Sequence, residues 1–351
     1  MKKRVYILTF VIGFLFVSLL TGCSVVAHKI YSKQFGRTKE LPKETFTQYI
    51  RWHEVNQAKY PRQEIHFYSG KNQLQGFVYG ESNDNGLVVI SHGLGGTADS
   101  YFPMIMYLVD NGWRVLAFNN TGAGGSEGKN VRGLTQSVID LDAALRFVKE
   151  SNTLNELPVM LVGHSWGGHA VSTVLNYEHD VKAVVSFAGF NNGRELFREQ
   201  GILSSGGFYH LLSPHFWTIQ RLRFGKTMKL TAVDGINKAG IPVMIVHSSD
   251  DRLISPNTTS IYAHREKITN PYAEFVYLDG DDAAGHEFPF GSRERREYIR
   301  TINENFRKYH AENENASFSQ CVKQYGFDKI KANELNGELM ERINIFFSNA
   351  R

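Results

Sequence analysis

Continuous apolar runs of strand length recur along the chain: Leu87 to Ser91, Trp113 to Phe118, Val159 to Val162, Ala183 to Phe187, Val243 to Val246 and Phe275 to Leu278. Runs without polar alternation fit strands buried on both faces. Between them, apolar residues at three- and four-residue steps predict helices near 99–111, 134–150, 168–178 and 256–268, most clearly through Leu134, Val138, Leu141, Leu145 and Val148. Strands alternating with helices imply a parallel sheet covered on both sides. Segments 64–68 and 73–80 precede this series as a strand pair, and helices at 292–310 and 336–348 follow it. The last is amphipathic through Leu339, Ile343, Phe346 and Phe347. No internal repeat is visible.

Two stretches break the rhythm. Residues 190–238 contain no convincing strand but many bulky apolar side chains, among them Phe190, Phe197, Phe208, Phe216 and Trp217. An insertion of that length in an α/β domain predicts a functional lid. The other is the N-terminus, where Lys2-Lys3-Arg4 precedes an uncharged apolar run from Val5 to Leu20 that ends Leu20-Thr21-Gly22-Cys23. A basic segment followed by an apolar one slightly short of a bilayer span reads as an export signal. Its end resembles the lipobox of bacterial lipoproteins, which implies cleavage before Cys23 and lipidation of that cysteine. The alternative is an uncleaved N-terminal anchor, and both readings place the rest of the chain outside the cytoplasmic membrane. The expected organisation is therefore a signal peptide at 1–22, a polar tether and N-terminal helix at 23–60, and one catalytic domain at 61–351 with its lid at about 190–238.

Composition changes this picture little. The formal net charge of +4 on 351 residues owes three basic side chains to residues 1–22, and elsewhere Lys and Arg are interleaved with acids. No basic stripe suggests a nucleic-acid partner. Two cysteines, Cys23 and Cys321, make neither a disulfide framework nor a four-ligand zinc site. His164 and His169 lack the His-Glu-x-x-His arrangement, and Asp279, Asp281 and Asp282 read as a solvated loop, so no metal site is expected.

Gly163-His164-Ser165-Trp166-Gly167 fits the Gly-x-Ser-x-Gly pattern of a nucleophile elbow, and so does Gly124-Gly125-Ser126-Glu127-Gly128. Context separates them: Ser165 joins a buried strand to a small-residue helix start, whereas Ser126 lies in a polar loop. Ser165 is therefore the candidate nucleophile. A serine hydroxyl needs a base and oxyanion donors. The loop Ser91-His92-Gly93-Leu94-Gly95-Gly96 follows a buried strand, so Leu94 N–H and the N–H of Trp166, the residue after the serine, are the candidate donors. His92 precedes the serine and reads as structural. Beyond it, the strand at 243–246 leads into Asp250-Asp251; Asp251 is favoured as the acid because Ile254 stands three residues on to hold its loop, with Asp250 the alternative. Of His264, His286 and His310, only His286 lies in a loop just past the last strand, and it is the candidate base.

Together these residues resemble the α/β-hydrolase superfamily, in particular its lysophospholipase or monoacylglycerol-lipase-like branch, also grouped with serine aminopeptidases. The resemblance covers roughly 64–349 through His92-Gly93, the Ser165 elbow, Pro242, Asp251 and Gly285-His286. It implies an eight-stranded, mostly parallel sheet with a lid between strands six and seven. It also implies hydrolysis through an acyl-enzyme, with no metal or organic cofactor. Relatives often carry an Asp and an Arg in the turn here occupied by Asn119-Asn120-Thr121-Gly122, and commonly Gly at Ser248, a change expected to matter little. The leading expectation is a membrane-anchored esterase for lipid-like substrates. The alternatives are a peptidase or amidase, with Glu195 and Glu199 as candidate captors of a free amine, an acyltransferase, and a surface lipoprotein that keeps the fold only for binding.

Overall fold

The computed structural model describes residue 18 and residues 21–351. The export segment expected at 1–22 thus lies almost wholly outside the described residues, among which no helix is long and apolar enough to cross a membrane. Helix α1 runs over 21–34, and the strand series begins with β1 (Arg62–Ser69), β2 (Asn72–Tyr79) and β3 (Leu87–Ser91). Then come α2 (Phe102–Asp110), β4 (Arg114–Phe118), α3 (Gln136–Glu150), β5 (Val159–His164), α4 (Trp166–Thr173) and β6 (Val181–Phe187). After α5 (Gly193–Ser205), α6 (Phe208–Phe224) and α7 (Ala232–Ala239), the sheet closes with β7 (Val243–Ser248) and β8 (Ala273–Leu278). The C-terminal region adds α8 (Arg293–Glu312), α9 (Phe318–Tyr325), α10 (Lys329–Ala332) and α11 (Gly337–Ser348).

The eight strands form one sheet in the order β1-β2-β4-β3-β5-β6-β7-β8. The β1/β2 and β2/β4 pairings are antiparallel and those from β4 through β8 are parallel. This is the α/β-hydrolase fold, and the lid helices α5 and α6 stand between β6 and β7 as expected. Successive residues of one strand feed opposite cores, as side-chain alternation requires. Val88 and Ile90 pack with α2 and α11, while Val89 packs with α3, α4 and α7.

Three local expectations are corrected. The helix expected at 256–268 is a loop followed by a 3-10 helix at Tyr262–Lys267. Pro256 and its Ser, Thr and Asn neighbours bond locally instead, with Ser260 Oγ accepting from Ala263 N–H at 2.9 Å. Within 190–238 only α5 and α6 belong to the lid, because α7 packs against α4 and the body through Ala232 and Ile236. At the N-terminus the helix precedes the irregular stretch. Helix α1 buries Cys23, Ala27, Tyr31 and then Phe35 against lid residues Tyr209, Leu212 and Phe216. Residues 36–60 then cross the surface, held by the buried Arg51 guanidinium, which donates to the carbonyls of Pro42 (3.0 Å), Lys43 (2.6 Å) and Thr45 (2.7 Å).

Candidate active site

Strand β5 hands directly into α4 at Ser165, whose backbone stands at φ 57° and ψ −113°. A non-glycine residue pays about 1–3 kcal/mol for such a conformation, which persists only where its surroundings enforce it. Here two close backbone approaches do so. A Cβ on Gly163 would run into the Gly167 carbonyl, and one on Gly167 into the Ser91 carbonyl. Glycine at both positions lets β3, β5 and the start of α4 meet, and Ser165 N–H is tied to the Phe187 carbonyl at 2.8 Å. The hydroxyl is thereby presented above the carboxyl ends of the central strands.

Three loops converge on it. His286 Nε2 lies 2.9 Å from Ser165 Oγ, and its Nδ1 lies 2.8 Å from Asp251 Oδ2. The other Asp251 oxygen accepts from Leu253 N–H (2.9 Å) and Ile254 N–H (2.8 Å). Burial alone would raise the Asp251 carboxyl, but the hydrogen bond and charge of His286, with the Ile254 N–H and His247, outweigh it and hold the carboxyl below its ordinary value. Asp251 is thus an anion seated to orient the imidazole with Nδ1 protonated, leaving Nε2 to accept the serine proton.

The competing candidates have other places. Asp250 accepts from Ser248 Oγ (2.6 Å) and Gly285 N–H (2.8 Å), bracing the loop that carries His286. Ser126 is buried, donating to the Asn119 carbonyl at 2.6 Å and accepting from Gln75 N–H at 2.9 Å. His92 bonds the Gly93 carbonyl at 2.7 Å and accepts from Asn120 N–H at 3.0 Å, so Nδ1 carries its proton. Burial, opposed by the Gly93 carbonyl, pulls this ring down to about 4, which suits a neutral strut for the loop bearing Leu94. His264 is engaged away from the serine, with its Nε2 2.8 Å from Glu195. Glu199 is held by Thr258 and by Thr259, the latter at 2.6 Å. Both carboxylates thus tie α5 to the loop after β7, and neither lines the cavity.

Four supporting residues went unrecognised in the sequence. His164 donates from Nε2 to the His286 carbonyl (2.7 Å) and accepts at Nδ1 from Tyr101 Oη (2.7 Å), which itself accepts from Gly93 N–H (3.0 Å). This chain links the Leu94 loop, the elbow and the base loop. Burial, with the neighbouring His286, pulls His164 down to about 3 and keeps it neutral. Ser248 is the third: its hydroxyl accepts from Ala284 N–H at 2.8 Å, so the departure from Gly does matter, to the loop before His286. Asp140 is the fourth, for it binds Thr121 N–H (2.7 Å) and Thr121 Oγ1 (2.9 Å) and organises the turn that lacks the Asp and Arg of relatives. Only the small-to-polar replacement at 248 left a sequence signal.

The Leu94 and Trp166 N–H groups make no hydrogen bond to protein among the described residues, and both residues line the cavity with Ser165. That cavity has a volume of about 820 Å³. One side is the lid cluster with α1, including Tyr31, Phe35, Leu212 and Phe216, and the other is formed by Tyr101, Phe288, Phe290 and the C-terminal region. Cys23 stands in the α1–lid contact with a free, buried thiol. Chemically, the arrangement can deprotonate Ser165, orient a protonated imidazole and offer two amide donors to an oxyanion. Among the described residues no group of three or more His, Cys, Asp or Glu side chains could hold a metal ion.

Residues 82–217 match the family model described as serine aminopeptidase, S33, a span that includes Leu94, Ser165 and Trp166 but ends before Asp251 and His286. Two crystal forms of the Pyrococcus furiosus esterase Pf2001 share the fold. One has TM-score 0.57 and 14% identity, covering 91% of this chain and 98% of that one. The other has TM-score 0.56 and 13% identity, covering 89% and 99%. The α/β hydrolase GrgF from Penicillium sp. sh18 has TM-score 0.50 and 19% identity, covering 71% of this chain and 99% of that one. No curated protein matches the chain in sequence.

The two aspartates should separate on mutation. Asp251→Asn is expected to lower kcat on any hydrolysed ester by about 10³–10⁴-fold, because the amide favours the wrong imidazole tautomer. Asp250→Asn, which only loosens the loop, should lose about tenfold or less. Steady-state kinetics of the two variants side by side check this, and an equal loss in both would contradict the assignment.

Proposed function

We propose that this protein is a serine hydrolase of the serine aminopeptidase-like branch of the α/β hydrolases, cleaving carboxylic esters with an apolar acyl group. The observation that carries the proposal is the unbroken line from Asp251 through His286 to Ser165, with both bonds below 3 Å at 2.8 and 2.9 Å. Ser165 Oγ attacks the acyl carbonyl as His286 Nε2 takes its proton, and the Leu94 and Trp166 N–H groups receive the oxyanion. Collapse expels the alcohol, protonated by His286. Water, deprotonated by the same nitrogen, then releases the acid and restores the serine.

An ester is favoured over a peptide for two reasons. The cavity side nearest α1 and the lid is built mainly from aromatic and aliphatic groups, which suit an acyl chain. Glu195 and Glu199, the acids expected to capture a peptide amine, are occupied elsewhere. The family whose model matches residues 82–217 is described as serine aminopeptidases, so amide turnover is the outcome that would redirect the proposal. Purified protein should hydrolyse p-nitrophenyl esters and take up a fluorophosphonate, and Ser165→Ala should lose both by at least about 10³-fold. Retained activity in the variant, or a preference for aminoacyl amides over esters, would overturn the reading.

The same proposal holds the enzyme on the outer face of a membrane through its N-terminus. Support comes from the uncharged run Val5 to Leu20, which leads into α1 and so toward the lid. In a lipoprotein, Cys23→Ser should abolish an acyl-modified mass at residue 23 and leave the signal uncleaved. An unmodified Cys23 in membrane-bound wild-type protein would instead identify an uncleaved anchor, and soluble wild-type protein in fractionated cells would exclude both forms.

A further inference from the structure

The cavity is walled by two different bodies of side chains, and they differ in chemistry. Toward the lid it is mainly apolar, with Gln34, Gln200, Ser204 and Ser205 among the aromatic and aliphatic groups. Away from the lid, Gln48, Tyr49, Arg295 and Asn333 line it, contributed by the stretch before β1, by helix α8 and by the residue that follows α10. Neither segment falls within the matched family span of 82–217. The two segments are fastened to each other, with Asn333 Nδ2 donating to the Gln48 carbonyl at 2.8 Å and Ile50 N–H donating to Asn333 Oδ1 at 3.2 Å.

Arg295 is the unexplained member of this wall. Its stem passes Gly291, where a Cβ would stand 2.7 Å from Arg295 Cδ. Its guanidinium carbon lies 4.0 Å from the centroid of the Phe288 ring, and Nε donates to the Ala332 carbonyl at 2.8 Å. The plane is therefore fixed from three directions. Yet neither terminal nitrogen has a hydrogen-bond partner among the described residues, and no carboxylate lies within 4.0 Å. The exposed Glu287 carboxylate also lines the cavity, and its charge raises Arg295 while that of Arg296 lowers it. Burial pulls the group down to about 10, where it remains a cation at neutral pH. A partly buried, immobilised guanidinium with its two-pronged edge free is shaped to accept an oxyanion through paired N–H bonds.

We infer that Arg295 is a specificity-determining residue for an anionic group, a carboxylate or phosphate, on the alcohol part of the ester. The substrate is then an amphiphile: its acyl chain lies under α1 and the lid, its ester carbonyl at Ser165, and its charged head at the wall formed by residues 48–49 and the C-terminal region. This rests on the ester-hydrolase reading for the reaction but not for the binding. It also gives residues 292–335 a role, since Arg295 and its support at Ala332 both come from them.

Three esters that differ only at glycerol C3 test it: 1-lauroylglycerol, its 3-phosphate, and the lauroyl ester of glyceric acid. Wild-type protein should prefer one or both anionic esters, and Arg295→Gln should lower the ratio of their kcat/KM to that of the neutral ester at least tenfold, mainly through KM. Arg295→Lys should keep part of the preference, and in wild-type protein KM for the anionic esters alone should rise with salt. Which anion responds identifies the head group. An equal kcat/KM for all three in wild-type protein, or an unchanged ratio in Arg295→Gln, overturns the inference. Binding of 1-lauroylglycerol 3-phosphate to Ser165→Ala, compared by calorimetry with Ser165→Ala/Arg295→Gln, separates the two levels. Arg295-dependent binding by a protein that hydrolyses no ester would sink the hydrolase reading and leave this one standing.

Discussion

The positive φ of Ser165 is the constraint on which the rest of the site depends. It turns the chain from β5 into α4 within one residue, and it holds because Gly163 and Gly167 carry no side chain where the Gly167 and Ser91 carbonyls press in. The same compression puts the Trp166 N–H at the start of α4, next to the loop that follows β3. The candidate nucleophile and oxyanion donors are thus products of one backbone event. The cost of the strained residue is spread over the two core clusters that clamp the central strands.

Around that turn the site is tied together by polar groups, of which the two buried histidines are neutral. His164 touches the base loop through the His286 carbonyl and the Leu94 loop through Tyr101. His92 fixes the Gly93 carbonyl, while Ser248 and Asp250 brace the residues before His286. Burial keeps His92 and His164 uncharged, so neither ring adds a charge beside Asp251 and the imidazolium proposed to form on His286. A buried charge without a partner would compete for that imidazolium, and neutral struts avoid this. Preorganisation of this kind stabilises charge developing in the transition state without reorganisation at the moment of reaction.

Much of this was legible in the chain itself because the relevant signals are local. Apolar runs revealed the buried strands, and the position of Ser165 between such a run and a small-residue helix start separated it from Ser126, whose hydroxyl is consumed by Asn119 and Gln75. The aspartate choice was legible through Ile254, whose N–H does bind Asp251. What escaped was long-range pairing. His164 meets the carbonyl of a residue 122 positions away, and His264 meets Glu195 across 69, separations over which spacing carries no information. The polar stretch at 23–60 looked like a tether because the buried residues at its start, Cys23, Ala27, Tyr31 and Phe35, recur every four residues over only about three turns, and their partners are in the lid. The loop at 256–268 failed for the opposite reason, since apolar spacing there competes with Ser and Thr side chains that satisfy the backbone locally.

Ser165 is proposed to carry the acyl group between two chemical steps. Rapid mixing of the wild-type protein with p-nitrophenyl butyrate, acid quenching and mass spectrometry of the digested protein test it most directly. A burst of nitrophenol is expected, with a butyryl increment on the peptide containing Ser165 and on no other. Turnover with no acylated peptide at any quench time, or with the increment on Ser126 or another residue, would contradict it.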